Sequence, residues 1–559
     1  MKKYLIILSL CVASVFAFNF SQDYFEVSKN LDIFNTLYRE LNIAYVDETK
    51  PGQLMKTGIE AMLASLDPYT NYYTENDIED YKYMTTGEYG GIGALIQDVN
   101  NKITITEPYE NFAAYNSGLR AGDEIIEING QNVVGKKTDE ISTLLKGQAG
   151  TAIKLKITHL GQITPIEINL KREEIKIKAV QYSNMLNDET GYIKLSSFTD
   201  NCSSEVKEAF LKLKEKNCKS LIFDLRGNPG GLLNEAVNIV NLFVDKGQEI
   251  VYTKGKIKDW DNSYLSVNNA LDTQIPIVVL IDNNSASASE IVAGALQDLD
   301  RAVVLGQRSF GKGLVQQVRD LTYNTKLKVT VAKYYIPSGR CIQALDYTHK
   351  DAEGRVDKVP DSLITAFKTK NGRITYDGAG ILPDVKTNNI QYSNIISVLL
   401  SKNLIFTYVN SYIIKNQNKI NNKESLKYTN DDYTDFIAYL KDKDYKYKTQ
   451  NDYALEDLKI DATKEKYYES IKKEYDALIL KMEENKKDDL IRFKDEITGF
   501  IEEEIASRIQ FQKGRLEAAL NHDLEVAEAK KLLADLPKFK SILTVIEKPT
   551  KPFNANKKF

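Results

Sequence analysis

Residues 220–231 read Ser-Leu-Ile-Phe-Asp-Leu-Arg-Gly-Asn-Pro-Gly-Gly. The run Ser220–Leu225 is nearly continuous in apolar residues, the pattern of a strand covered on both faces rather than on one. The segment Asp224–Gly231 is then a glycine-rich turn between that strand and a helix over Leu232–Val244. A turn of this kind exposes backbone N–H groups in a concave nest suited to negative charge. No Lys-Ser/Thr pair follows, which excludes a nucleotide P-loop. On either side the pattern alternates: strand Gly191–Ser196, helix Ser203–Lys216, strand Pro276–Asp282, helix Ala288–Leu299 and strand Ala302–Gly306. This predicts an α/β layer with helices on its sheet. Val315–Asp320 and Leu327–Tyr335, with Asn324 between them, read as an antiparallel hairpin.

Two further stretches of this region carry chemistry-bearing side chains. Asn284-Ser285-Ala286-Ser287-Ala288-Ser289-Glu290 lies between an apolar strand and a helix. A serine there sits where unpaired N–H groups and the helix dipole favour an oxyanion, although serine is also a common helix cap. Ser309-Phe310-Gly311-Lys312-Gly313, followed by Gln316 and Gln317, places a lysine between two glycines that permit close backbone approach. A buried lysine can lose enough pKa to act as a base, whereas an exposed one is only a loop residue.

Toward the N-terminus, residues 20–85 have helical spacing and end at Asp67-Pro68-Tyr69-Thr70, a turn. Residues 88–172 change to short alternating strands. Ile92–Val99 and Lys102–Glu107 flank Asn100-Asn101, Glu124–Asn129 closes at Gly130, a helix runs over Thr138–Lys146, and strands follow at Ala152–Thr158 and Pro165–Leu170. Residues 391–559 are helical and rich in both charge signs. Lys481–Leu533 reads as a solvated bundle or hairpin, and the basic tail Lys548–Phe559 as disordered.

Residues 1–17, MKKYLIILSLCVASVFA, have the lysines, apolar run and small final residue of a secretory signal peptide. The apolar run is shorter than a bilayer span, and Leu10 is too large for a lipobox before Cys11. The chain is thus expected to be exported, to the periplasm or cell envelope. With 42% hydrophobic and 27% charged residues among 559, the chain is globular in composition and long enough for several domains. A net charge of −4 excludes a polyanion-binding surface of the usual kind, so no nucleic-acid partner is expected. Cys202, Cys218 and Cys341 are too scattered for a disulfide framework, and three histidines are too few for a His-rich metal cluster.

Taken together, Leu221–Gly231, Asn283–Asp298 and Gly306–Gln317 closely resemble the carboxyl-terminal processing peptidases, also called tail-specific proteases. The module at 90–171 resembles the PDZ domain of that family, with Gly91-Ile92-Gly93-Ala94 in the place of the carboxylate-binding loop and Ser117–Asp123 matching its next turn. Asp67–Thr70, Tyr335–Arg340 and Gly378–Asp384 match other landmarks; Leu382 stands where threonine is more usual, and Leu345–Arg373 is a long insertion. The resemblance covers about residues 25–390.

It implies a multi-domain α+β and α/β architecture: a PDZ module, a crotonase/ClpP-like α/β protease core over 180–390, and helical regions at both ends. It implies serine endopeptidase activity near protein C-termini. Ser287 would be the nucleophile, Lys312 the general base and Gln316 its orienting partner, with an oxyanion hole from Gly230 or Gly231 and Ala288. Ser285 and Ser289 would be structural. No cofactor or metal is implied, and the partners are proteins or peptides with free C-termini. Homo-oligomer formation and membrane association stay open. Two other readings remain at this point: a non-proteolytic PDZ-bearing envelope scaffold, and a ligand-binding relative without proteolysis.

Overall fold

The computed structural model describes residues 24–350, 355–388, 392–418 and 427–544. The expected signal peptide and the basic tail lie outside them. The chain divides into two compact units, one of residues up to Thr74 with Gln316–Thr330, the other of Glu75–Val315 with Val331 onward. The hairpin that the sequence places in the α/β core is thus shared, its tip grouping with the N-terminal residues.

The smaller unit holds helix 24–44, helix Pro51–Ala64 and strand Asn71–Tyr73, which pairs antiparallel with Lys326–Lys328. Its turn motif has a local cause. The Asp67 carboxylate accepts the N–H groups of Tyr69 and Thr70, both at 2.8 Å, and the Thr70 hydroxyl accepts from Thr330 N at 3.2 Å.

In the larger unit the core is a six-stranded sheet in the order Val180–Met185, Thr190–Leu195, Ser220–Asp224, Ile277–Ile281, Val303–Gly306, Val385–Lys386. Its first pair is antiparallel and the other four pairs are parallel. Successive residues of these strands face opposite sides. Leu221, Phe223, Ile277, Val279 and Ile281 pack with helices Cys202–Glu215, Leu233–Asn241 and Ala288–Asp298. Ile222, Val278, Leu280, Val303 and Leu305 face the other way, onto Val526, Ala529, Leu532, Leu533 and Phe539.

That second layer corrects the solvated reading of Lys481–Leu533. Helix Leu524–Ala534 is amphipathic and charged outside, but its apolar side packs on this face of the sheet together with Phe539 of the helix after it. A sheet apolar on both faces demands such a cover, and each aliphatic side chain buried there contributes about 1.5–3 kcal/mol. The preceding helix Lys494–Leu520 breaks at Gln510 and Phe511, and the Phe511 ring meets Tyr115 of the β-rich module edge-on at 5.3 Å.

The β-rich module is a sheet of Ala94–Val99, Lys102–Pro108, Glu124–Ile128, Ala152–Thr158 and Ile166–Lys171, with Gln131–Asn132 added to Glu124–Ile128. Helix Thr138–Leu145 closes its core through Ile141 and Leu145. The strand boundaries agree with the sequence pattern to within a residue or two. The sequence reading lacked the pair Glu88–Gly91 with Glu173–Lys176 at the entrance to the module, and the hairpin Glu249–Gly255 with Asn262–Leu265.

Candidate active site

The three motifs of the α/β core converge at the C-terminal ends of its parallel strands, where open sheets of this kind place their sites. Ser287 forms the elbow between strand Ile277–Ile281 and helix Ala288–Asp298, with φ 56° and ψ −113°. A positive φ at a residue bearing a Cβ is strained by about 1–3 kcal/mol and persists only where its surroundings hold it. The three serines of the run differ sharply. Ser285 is buried, its hydroxyl donating to Leu225 O at 2.8 Å, and Ser289 is buried with its hydroxyl on Asn228 O at 2.9 Å. Ser287 alone is partly exposed. The two flanking serines therefore fasten the elbow to the glycine-rich turn.

That turn meets the elbow directly. Gly230 has φ 99°, and a Cβ there would stand 2.8 Å from Ser287 Cβ and 2.9 Å from Ala288 N. Only glycine allows this approach. The N–H of Gly230 is taken by Asn228 Oδ1 at 2.9 Å. Those of Gly231 and Ala288 have no protein acceptor among the described residues.

A buried ion-pair network holds the other end of the turn. The Arg226 guanidinium reaches Asp224 at 2.6 Å, Asp523 at 2.7 Å and Glu525 at 2.8 Å, the last two at the start of the helix covering the sheet. Burial alone would raise the Asp224 carboxyl, but Arg226 and then Lys194 outweigh it and hold its pKa well below the carboxylate range. A depressed folded pKa gives stability that is present above the unfolded value, about 3.9, and is lost as pH falls through the folded one. Asp224→Asn is expected to lower the melting temperature strongly at pH 7, since it leaves Arg226 short of a partner. The gap from the parent protein should narrow as pH falls below about 4. Thermal melts between pH 7 and pH 3 check this, and a gap of constant size would rule out Asp224 as the source.

The lysine loop is fixed as tightly. Gly311 has φ 88°, and a Cβ there would lie 2.4 Å from Ala344 Cβ; one on Gly313 would lie 2.8 Å from Gln343 N. Lys312 itself is half-buried. Elbow and loop meet on Glu290, a fully buried carboxylate that the sequence reading passed over. Its Oε1 accepts the Ser309 hydroxyl at 2.5 Å and Gly311 N at 2.7 Å; its Oε2 accepts Ser287 N at 2.8 Å and Lys312 N at 2.9 Å. Burial pushes its pKa up, with these donors pulling the other way. A Ser-x-x-Glu spacing is the sequence sign of such a reach-back to a helix cap. Tyr334, also missed, has no local signal. Its buried hydroxyl lies 3.1 Å from Ser287 O and 2.7 Å from Lys312 O.

Gln316 belongs to the smaller unit, where its amide donates to the Thr330 hydroxyl at 3.2 Å. The loop Gly91–Ala94 is part of a separate site. Gly93 has φ 73°, and Ile92 is buried. The N–H groups of Ile92 and Gly93 find no acceptor among the described residues. They edge a cavity of about 260 Å³ walled by Tyr83, Tyr89, Tyr109, Ser142 and Leu145.

An α/β peptidase core joined to a PDZ module is the class these elements define. Residues 189–350 match the model of peptidase family S41, 104–158 that of the PDZ domain, and 395–533 that of the C-terminal helical domain of a probable PDZ-protease. The carboxy-terminal-processing protease of Bartonella bacilliformis is 38% identical over 324 residues, 57% of this chain and 74% of that one. A probable CtpA-like serine protease of Staphylococcus epidermidis is 33% identical over 365 residues, 65% and 70% of the two chains. Among solved structures, a photosystem II D1 C-terminal processing protease aligns at 26% identity over 63% of this chain and 86% of its own, with a TM-score of 0.34. The chain belongs to the carboxy-terminal-processing protease family, serine peptidases of family S41 with a PDZ domain.

Proposed function

We propose that this chain is an exported endopeptidase that cuts proteins near their C-termini through an acyl-enzyme on Ser287, with Lys312 as general base. The observation that carries the reading is the elbow itself. The one partly exposed serine of the run is held at a strained φ against Gly230, beside two N–H groups without acceptors among the described residues.

In this reading neutral Lys312 takes the Ser287 proton as Oγ attacks the scissile carbonyl. The oxyanion is received by Ala288 and Gly231 N–H; Gly230 shapes the hole without donating to it, because its own N–H is engaged. The protonated lysine then returns the proton to the leaving amine, and water completes the cycle. The PDZ loop Gly91–Ala94 takes the substrate's C-terminal carboxylate on its N–H groups, and the tyrosine-walled cavity beside it takes the last side chain.

The test is hydrolysis of β-casein and of a peptide with an apolar C-terminus. Lys312→Arg keeps the positive charge but cannot lose it near neutral pH. It is expected to cut at least a thousandfold more slowly than the parent chain, and a rate within tenfold would remove Lys312 as base. Amidating the peptide's C-terminus is expected to weaken cleavage mainly through KM. Equal kinetics for both forms would refute capture through the carboxylate. A parent chain that cuts neither substrate would favour the scaffold reading.

A further inference from the structure

Ser287 and Lys312 stand 25 positions apart in the chain, on a helix cap and a loop that share no secondary structure. Yet four backbone groups of these two residues converge on two side chains. The N–H of each donates to the same oxygen of Glu290, at 2.8 and 2.9 Å. The C=O of each lies within hydrogen-bond reach of the single hydroxyl of Tyr334, at 3.1 and 2.7 Å. Two donors on one oxygen stand within about 6 Å of each other, so the two residues are held together through both their N–H and their C=O groups.

We propose that Glu290 and Tyr334 are positioning residues for catalysis, a two-sided clip that sets the distance and direction between the serine and the lysine. The inference rests on the Ser287–Lys312 reading above. Glu290 accepts four hydrogen bonds and its carboxylate is saturated by them. A glutamine there offers one acceptor oxygen and one NH₂, so one pair of its present partners would meet donor against donor. Tyr334 is fully buried and rooted in strand Lys326–Tyr335, whose Tyr334 N–H also donates to Gly313 O at 3.0 Å. Tyr334 thus holds two successive carbonyls of the lysine loop, those of Lys312 and Gly313. Neither side chain is assigned a step in the chemistry; both act through the base and the nucleophile.

The experiment is steady-state β-casein hydrolysis by the full chain, comparing Tyr334→Phe, Glu290→Gln, Lys312→Ala, Ser287→Ala and the double variant Tyr334→Phe/Lys312→Ala. Tyr408→Phe, which removes a buried hydroxyl from Asp432 O in the C-terminal helices, serves as the structural control. Tyr334→Phe is expected to lower kcat about 10- to 100-fold with KM within twofold, while its melting temperature falls no more than that of Tyr408→Phe. In the Lys312→Ala background the same change should alter the residual rate less than threefold, because a clip has nothing to position once the base is gone. Glu290→Gln should lower kcat at least 100-fold.

A Tyr334→Phe protein with wild-type kcat overturns the clip. So does one whose loss is the same with and without Lys312, since that marks a general structural defect. If Glu290→Gln fails to fold, Tyr334→Phe decides alone. A Ser287→Ala protein that still cleaves brings down the nucleophile assignment and the clip with it. A dead Ser287→Ala beside a fully active Tyr334→Phe brings down only the clip.

Discussion

Replacing Ser287 by alanine is expected to remove casein hydrolysis by four to six orders of magnitude, about the loss seen when a serine peptidase gives up its nucleophile. Stability should barely change. The contacts that hold residue 287 run through its N–H and C=O, to Glu290 and Tyr334, and alanine keeps both. Its strain at φ 56° is also kept, since alanine carries the same Cβ. The melting temperature should stay within about 2 °C of the parent. Ser285→Ala makes the opposite pair of changes. It removes a buried hydroxyl bonded to Leu225 O and Asp282, lowering the melting temperature while leaving substantial activity in the folded protein. A Ser287→Ala protein that keeps more than about 1% of the rate, or a Ser285→Ala protein that is stable and dead, would move the chemistry to another serine.

The second large effect is expected at Gly230. Alanine there would put a methyl group 2.6 Å from Ala286 O, 2.8 Å from Ser287 Cβ and 2.9 Å from Ala288 N. Two of these are backbone atoms that no rotamer change can move, so the turn or the elbow must shift. Either shift spoils the register between the Gly231 and Ala288 N–H groups. Loss of one oxyanion donor alone lowers kcat about 100-fold or more, and Gly230→Ala should reach at least that. Gly227→Ala separates collision from strain. It sits in the same turn at φ 71° with no neighbour within 4 Å of its Cβ, so it should lose only about 1 kcal/mol of stability and keep most activity. Equal activities for the two variants would show that the close packing of turn on elbow is dispensable.

Much of this was legible in the chain because it depends on local pattern. Four of the six core strands are short apolar runs bounded by turns, and the β-rich module alternates cleanly, so these declared themselves within a residue or two; the edge strands Val180–Met185 and Val385–Lys386, polar or very short, did not. The triple-serine run and the glycine-flanked lysine were visible as motifs. Only the family resemblance separated Ser287 from Ser285 and Ser289; the residues themselves do not, because the difference lies in φ and burial: two hydroxyls turn inward onto carbonyls of the neighbouring turn, and Ser287 is left partly exposed. Gly230 and Gly231 look alike in sequence, yet Asn228 engages one N–H and not the other. Tyr334 escaped notice because its role comes from a strand folded back 47 positions from Ser287. The helix Leu524–Ala534 was misread because its charges mark a solvated outer face, while the partner for its inner face is a sheet more than 200 positions away in sequence.

Two of the three carboxylates that hold Arg226 lie 297 and 299 residues downstream of it. During synthesis at about 5–20 residues per second, roughly 15–60 seconds separate the glycine-rich turn from the carboxylates that lock it. Through that interval the growing chain carries the serine and the lysine but lacks two of the three carboxylates on Arg226. The last carboxylates of the hydrolytic centre's support thereby arrive only near completion of the polypeptide, and a fragment ending before Asp523 is expected to leave Arg226 with Asp224 alone.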